Sequence, residues 1–128
     1  MTEPRFLSVE DVEFLHRRSI ERYGGTLGIR DHFGLEAAVN HPKNVFYYGQ
    51  GDSFDIAAAY AYHIAESQAF LDGNKRTAVA AALNFLNLNG VTTLFDASAI
   101  YDAMIAIAEK RMTKFDLASV LRKQVSSQ

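Results

Sequence analysis

The chain has 128 residues, with no cysteine and no long apolar run. The absence of cysteine excludes disulfide bonds and thiolate chemistry, although it does not by itself exclude export. No apolar stretch approaches the roughly 18 residues that a membrane span needs, and no apolar run follows a basic start. We therefore expect a soluble, cytoplasmic protein that does not contact a membrane.

The chain also lacks an excess of either charge. Its 13 Lys and Arg residues are nearly balanced by 15 Asp and Glu residues, for a net charge of −2. The basic residues are interleaved with acids or lie near the chain ends, which is typical of solvated helix faces. The composition therefore argues against direct binding of nucleic acid. The length predicts one compact domain over residues 1–128.

Helix signals occur along most of the chain. Ser8 and Asp11 resemble a capping box and predict a helix from about Val9 to Tyr23. The glycines that follow favour a turn. The segment from Gly34 to Asn40 predicts a short helix that ends before Pro42.

The central part of the chain predicts a pair of long helices. Apolar residues from Phe54 to Ala65 recur with the helical period, and Gln68 is the next position on that face, so we expect Gln68 to point towards the core. A second helix is expected from Asn74 to Asn89, before Gly90. Both helices are rich in alanine, which lets two backbones approach closely.

The last third of the chain predicts two further helices and at most a very short strand. Asp96 should cap a helix to about Lys110, and Thr113 with Asp116 should open another to about Gln124. The segment 91–94 has room for a strand of two or three residues. The predicted fold is an all-α bundle of about six helices, with an excursion between Gly24 and Gln50.

The segment between the two central helices contains residues typical of a phosphate site. An acid, a glycine, an amide and two cations follow one another from Asp72 to Arg76. A helix that begins at Asn74 has unpaired backbone N–H groups in its first turn, and Gly73 allows a ligand to approach closely. With the charges of Lys75 and Arg76, this helix start predicts an anion site.

Two interpretations of this segment remain open from the residues. In the first, Asp72 provides one ligand of Mg²⁺, whose shell is completed by water and substrate phosphates, while Asn74 donates to a phosphoryl oxygen or holds the loop in shape. In the second, the segment is an ordinary turn with Asp72 as N-cap. The first is favoured because Lys75 and Arg76 lie at a helix N-terminus, where cations are unfavourable unless an anion is bound. The glycine spacing excludes a Walker A loop.

Phe70 and the six residues from Asp72 to Thr77 match, in register, the motif His-x-Phe-x-Asp/Asn-Gly/Ala-Asn-Lys-Arg-Thr. The chain thereby resembles the death-on-curing (Doc) family of the Fic fold. The resemblance covers about Gly24 to Gly90, including a region between Gly28 and Gly49 that looks like the family's flap.

The resemblance implies a toxin of a bacterial toxin–antitoxin module that transfers a phosphoryl group from ATP to a threonine of elongation factor Tu. It implies that Asp72 holds Mg²⁺ and that the nucleotide phosphates are held by the residues Gly73, Asn74, Lys75, Arg76 and Thr77. Fic enzymes that transfer AMP have glycine where this chain has Lys75, so the resemblance favours phosphoryl transfer. No inhibitory Ser/Thr-x-x-x-Glu-Gly/Asn signature is present, so we expect inhibition by an antitoxin helix near the active-site groove.

Gln68 departs from this family at its catalytic histidine. An amide does not titrate, although it can orient a hydroxyl. On a helix, His63 and Glu66 lie on other faces than Gln68, whereas His32 and His41 lie in or near the expected flap. His16 has no predicted role at the site.

Three accounts of Gln68 remain open. They are an attenuated natural enzyme in which Gln68 has a catalytic role, a relative that binds nucleotide or antitoxin without catalysis, and an engineered replacement of histidine. Transfer of AMP and a helical scaffold without a ligand are further alternatives.

Overall fold

The computed structural model describes residues 3–126, which form six helices. Apart from a single antiparallel bridge between Ile29 and Phe70, these residues contain no strand, so the predicted all-α fold is confirmed. The segment 91–94, which had room for a strand of two or three residues, forms none. The helices are α1 (Val9–Tyr23), α2 (His32–Tyr47), α3 (Ser53–Ser67), α4 (Asn74–Leu88), α5 (Ala97–Ala108) and α6 (Lys114–Ser126).

The predicted bounds of α1 are confirmed. The start of this helix is determined by residues that are close to it in the chain. The Ser8 side chain accepts from the Asp11 N–H, and the Asp11 carboxylate accepts from the Ser8 N–H. A similar reciprocal pair at Thr113 and Asp116 precedes α6. Capping residues satisfy N–H groups that have no partner inside the helix, so short-range sequence signals fix these ends.

The prediction that a short helix ends before Pro42 is wrong, since α2 continues through Pro42 to Tyr47. A proline inside a helix costs about 3 kcal/mol. Leu35 and Val39 lie on the same helix, are almost fully buried, and belong to the core that α2 forms with α3. Burial of two such side chains contributes about 3–6 kcal/mol, which is enough to offset the proline.

The centre of the bundle is the packed pair of α3 and α4. The alanines that face this interface are almost fully buried, as the close approach of two backbones requires. α2 and α6 pack on the other sides of α3, while α1 and α5 pack on α4. The predicted helix pair is confirmed, and the connection between its two members carries the candidate site. The buried alanines are Ala57, Ala58, Ala61, Ala78, Ala81 and Ala82.

No helix in the described range of residues 3–126 is both long and apolar enough to cross a bilayer.

Candidate phosphate-binding site

The candidate site begins where α3 ends. Gln68 is the C-cap of α3, in the left-handed conformation with φ 46° and ψ 40°, and its side chain is exposed. The prediction that Gln68 points towards the core is therefore wrong. The helical period does not extend to residue 68, because the left-handed backbone turns this residue away from the apolar face of α3.

The loop from Ala69 to Gly73 is held by the connecting segment of residues 24–31. The Ala69 carbonyl accepts from the N–H groups of Arg30 (2.7 Å) and Asp31 (3.1 Å). The Leu71 N–H donates to the Gly28 carbonyl at 3.0 Å. The backbone of this loop is thus held at Ala69 and Leu71 by a segment some 40 residues earlier in the chain.

Asn74 also holds this loop. Its side-chain oxygen accepts from the Phe70 N–H, and its side-chain nitrogen donates to the Phe70 carbonyl, both at 3.0 Å. Of the two roles expected for Asn74, the structure supports the one in loop shape. One N–H of the Asn74 amide nitrogen is left for a ligand.

Asp72 is not the cap of α4, so the interpretation of the segment as an ordinary Asp-capped turn is wrong. Gly73 is the N-cap, with φ 76°, and no side chain caps the helix. The Asp72 carboxylate instead accepts from the Thr26 N–H at 2.7 Å. Hydrogen bonds from the backbone and side chain of Thr26, together with the charge of Arg76, hold the pKa of Asp72 below its usual range. The carboxylate is therefore ionised at neutral pH.

The two cations of the site differ in their surroundings. Arg76 is half-buried, donates to the Gly24 carbonyl at 3.1 Å, and lies 5.3 Å from the centre of the Tyr23 ring. Lys75 is exposed and has no hydrogen bond or ion pair within residues 3–126. Arg76 has donors left over, because a guanidinium carries five N–H groups.

The backbone adds further donors at this point. Among the described residues, the N–H groups of residues 73–76 have no hydrogen-bond acceptor, and the first N–H of α4 that is paired belongs to Thr77. Four unpaired N–H groups at the start of a helix, with two cations beside them, make a strongly electropositive surface. This arrangement is suited to a phosphate group.

A surface cavity of about 340 Å³ lies over these donors. Asp72 and Thr77 do not line this cavity. The Asp72 carboxylate interacts electrostatically with Arg76, which does line it, and Thr77 is fully buried. The Thr77 hydroxyl has no hydrogen-bond partner, so the predicted contact of Thr77 with phosphate is not supported. The cavity is lined by Ala65, Gln68, Gly73, Asn74, Lys75 and Arg76.

His16 is a residue of the site that the sequence analysis missed. It lies on α1 and is only 2% exposed. Its Nε2 atom lies 2.7 Å from the Asp72 carbonyl oxygen, and its ring stacks on Phe70 with 3.8 Å between the ring centres. Burial is the main cause that lowers the pKa of His16. The only sequence signal is a single histidine on the face of α1 that also carries Val12 and Ser19.

The other histidines do not line the cavity beside Gln68. His32 borders a separate cavity of about 270 Å³ between α1 and the segment 24–31. His41 and His63 lie against each other on α2 and α3, with 3.8 Å between their ring centres. The side chains that line the Gln68 cavity therefore include no proton acceptor that titrates near neutral pH.

The groups at the site fit Mg²⁺ better than they fit a metal ion whose ligands all come from protein side chains. Residues 3–126 contain no group of three or more His, Asp or Glu side chains able to hold a metal ion. Asp72 offers an exposed, ionised carboxylate next to the phosphate-binding donors. Mg²⁺ is bound in proteins by one or two carboxylates, with water and substrate phosphates completing its shell. The residues present therefore fit Mg²⁺ together with a phosphate-bearing ligand.

The fold and the site together define a class of all-α proteins in which the loop between two central helices carries a candidate anion site. A sequence model of the Fic/DOC family matches residues 6–86, and the chain belongs to this family. The chain is 35% identical over 124 residues to "Protein kinase doc" of Escherichia phage P1, covering 96% of this chain and 98% of that protein. It is 41% identical over 116 residues to "Toxin Doc" of Mycolicibacterium smegmatis, covering 86% and 84%.

Proposed function

We propose that this chain is a Doc-like toxin that transfers the γ-phosphoryl group of ATP to a protein hydroxyl. The observation that carries the proposal is the cavity beside Gln68, into which Lys75 and Arg76 bring positive charge next to unpaired backbone N–H groups. The names of the two relatives support both parts of the proposal, the toxin role and the kinase activity. We further propose that the acceptor is a threonine of elongation factor Tu, in the cytoplasm, and that residues 1–128 act as one domain.

Positioning and charge neutralisation are the main requirements of phosphoryl transfer. In the proposed reaction the acceptor oxygen bonds to the γ-phosphorus, the bond from that phosphorus to the β–γ bridging oxygen breaks, and ADP leaves. Lys75, Arg76 and the N–H groups of residues 73–76 would neutralise the phosphate oxygens. Asp72 would hold Mg²⁺, which supplies positive charge to the phosphates when it is bound.

Gln68 would orient the acceptor hydroxyl. Its side-chain oxygen accepts a hydrogen bond but does not take up the proton, which would pass to solvent in this open cavity. A positioned general base contributes about 10²- to 10⁴-fold to a rate. Gln68 would therefore leave a slower enzyme than a histidine at the same position.

The absence of a titratable acceptor in the cavity favours a second candidate function. In this alternative the chain keeps the anion site and binds nucleotide or an antitoxin without catalysis. Transfer of AMP is a third possibility, which Lys75 disfavours through the resemblance to phosphoryl-transferring relatives.

An antitoxin is proposed as the partner that controls the site. Arg76 borders both the Gln68 cavity and a groove of about 440 Å³ between α1, α4 and α5. Val79, Leu83 and Tyr101 are among the residues that line this groove. An amphipathic helix fits such a surface, and a carboxylate on that helix would reach Arg76.

Growth of cells that express the chain tests whether it is an enzyme. We expect slow inhibition of growth by the wild-type chain and a stronger effect of Gln68→His. Toxicity that appears only with Gln68→His would support the silent binding module. If neither protein is toxic although both are folded, the proposal that the chain is a toxin is overturned.

Labelled ATP tests the type of transfer. Purified chain is incubated with elongation factor Tu and with ATP labelled at either the α or the γ phosphate. Label on the factor from the γ position is expected. Label from the α position alone would reject the kinase chemistry in favour of AMP transfer.

Binding of ATP tests the site separately from catalysis. Lys75→Ala should weaken the binding of Mg²⁺ and ATP about 10- to 100-fold, since a hydrogen bond from a charged group contributes about 1.5–3 kcal/mol. Lys123→Ala is the matched control, because Lys123 is also an exposed lysine but lies on α6. Equal affinities of the two variants, measured by calorimetry, would reject the site.

A further inference from the structure

We propose that His16 is a positioning residue that fixes the peptide plane between Asp72 and Gly73, so that the Gly73 N–H is presented to a bound phosphate. The proposal rests on the proposed function for the identity of the ligand. The orientation of the peptide plane does not depend on that function.

The first step is the direction of the hydrogen bond between His16 and Asp72. The Asp72 carbonyl oxygen is only an acceptor, so the His16 Nε2 atom, 2.7 Å away, must carry the proton and donate. This contact selects one tautomer of the imidazole. It also fixes the direction in which the Asp72 carbonyl points.

The second step is the geometry of the peptide bond. The described chain contains no cis peptide, and in a planar trans peptide the C=O and the following N–H point in opposite directions. The Gly73 N–H therefore points away from His16. It has no acceptor among residues 3–126, and Gly73 lines the cavity beside Gln68.

The third step is that little else constrains this peptide plane. Gly73 has φ 76° and forms no side-chain cap, and glycine rotates more freely than any other residue. Thr26 holds the carboxylate of Asp72 but not its carbonyl. The stack of His16 on Phe70, with 11° between the ring planes, holds the donor in place.

Two substitutions separate the donor from the ring. His16→Phe keeps an aromatic ring to stack on Phe70 but removes the donor. His16→Gln removes the ring but keeps an N–H donor at about the distance of Nε2 from the backbone. If the role of His16 is purely structural, His16→Phe should behave like the wild type and His16→Gln should not. If His16 positions the peptide plane, the opposite is expected.

The experiment combines NMR of the free protein with calorimetry of ATP and Mg²⁺ binding. In the free protein we expect His16→Phe to shift the Asp72 carbonyl carbon and Gly73 amide resonances, and His16→Gln to restore them at least in part. We expect His16→Phe to weaken ATP binding about tenfold, the effect of one lost hydrogen bond, and His16→Gln to recover most of it. Thermal melting measures the loss of packing in both variants.

The result that would overturn the proposal is a His16→Phe variant whose Gly73 amide resonance and ATP affinity match those of the wild type, whatever its melting temperature. If the wild-type chain does not bind ATP, the proposed function fails. The resonances of Asp72 and Gly73 in the free variants then decide the role of His16 by themselves.

Discussion

The contact between His41 and His63 predicts that the fold loses stability in mild acid. His63 lies on α3, its ring centre 3.8 Å from that of His41 on α2, and its Nε2 atom is 3.4 Å from the Nζ atom of Lys114 on α6. Tyr62, Glu66 and Ser67 are the other polar groups of α3 near this cluster. Burial, then the charges of His41 and Lys114, lower the pKa of His63 from 6.5 to about 4.

The direction of the effect follows from proton binding. Between pH 6.5 and about 4 the unfolded chain binds a proton at His63 that the folded chain does not bind. Stability is therefore complete above pH 6.5 and falls as the pH falls below it. The pKa of His41 is lowered as well, mainly by burial, so His41 acts in the same direction.

The magnitude follows from the two pKa values of His63. Between about pH 7.5 and about pH 5, a change from 6.5 to about 4 corresponds to a loss of at most about 2 kcal/mol. The His63 ring is only partly buried, so solvent screening reduces this value, and we expect about 1 kcal/mol. Asp52 and Asp72, whose pKa values lie below 3.8, contribute mainly at lower pH.

Urea unfolding at a series of pH values measures this loss, and NMR titration measures the pKa of His63 directly. His63→Gln should remove about 1 kcal/mol of the pH dependence. Lys114→Gln should raise the titration midpoint of His63, because it removes a neighbouring positive charge. A midpoint close to 6.5, with the same pH dependence in wild type and His63→Gln, would refute the reasoning.

Two further predictions concern α4 and the loop before it. Thr77→Val should raise the free energy of unfolding by about 1 kcal/mol, because it removes a buried hydroxyl without a partner, whereas Thr77→Ser keeps the hydroxyl, leaves a cavity and should be destabilising. Asn74→Ala should lower that free energy by about 1–3 kcal/mol, since both of its hydrogen bonds to the Phe70 backbone are lost. Urea unfolding checks both, and a destabilised Thr77→Val or an unchanged Asn74→Ala would contradict them.

Features that depend on neighbouring residues were predictable from the sequence. The caps at Ser8, Asp96 and Thr113 act over two or three positions, so the helices that they start were expected. The cavity at the candidate site could be anticipated for a similar reason, because the residues that line it lie within a short stretch of the chain, between Ala65 and Arg76.

Features that depend on distant contacts were not predictable. The continuation of α2 through Pro42 requires knowledge of what α2 buries against α3. The partners of Asp72 lie 46 and 56 residues away, at Thr26 and His16. A lone histidine in the sequence gives no indication that its ring will reach a backbone carbonyl on another element, so its place at the site needs the folded structure.

The backbone at Gln68 bears on what this residue does. A left-handed conformation costs a residue other than glycine about 1 kcal/mol, and such strain persists only where surrounding contacts enforce it. Here Arg30 donates to the Gln68 carbonyl at 2.5 Å, and the next carbonyl, of Ala69, accepts two N–H groups. All these contacts are made to the backbone, so they do not depend on the side chain at this position.

A side chain at position 68 therefore projects beside the unpaired donors of the candidate site whatever its chemistry. Gln68→His should leave the backbone and the cavity in place and change only the capacity to accept a proton. The ratio of the two transfer rates then measures the contribution of a general base at this position, expected at about 10²- to 10⁴-fold. A ratio near one, with labelled phosphate transferred by both proteins, would mean that positioning and charge neutralisation supply nearly all of the catalysis at this site.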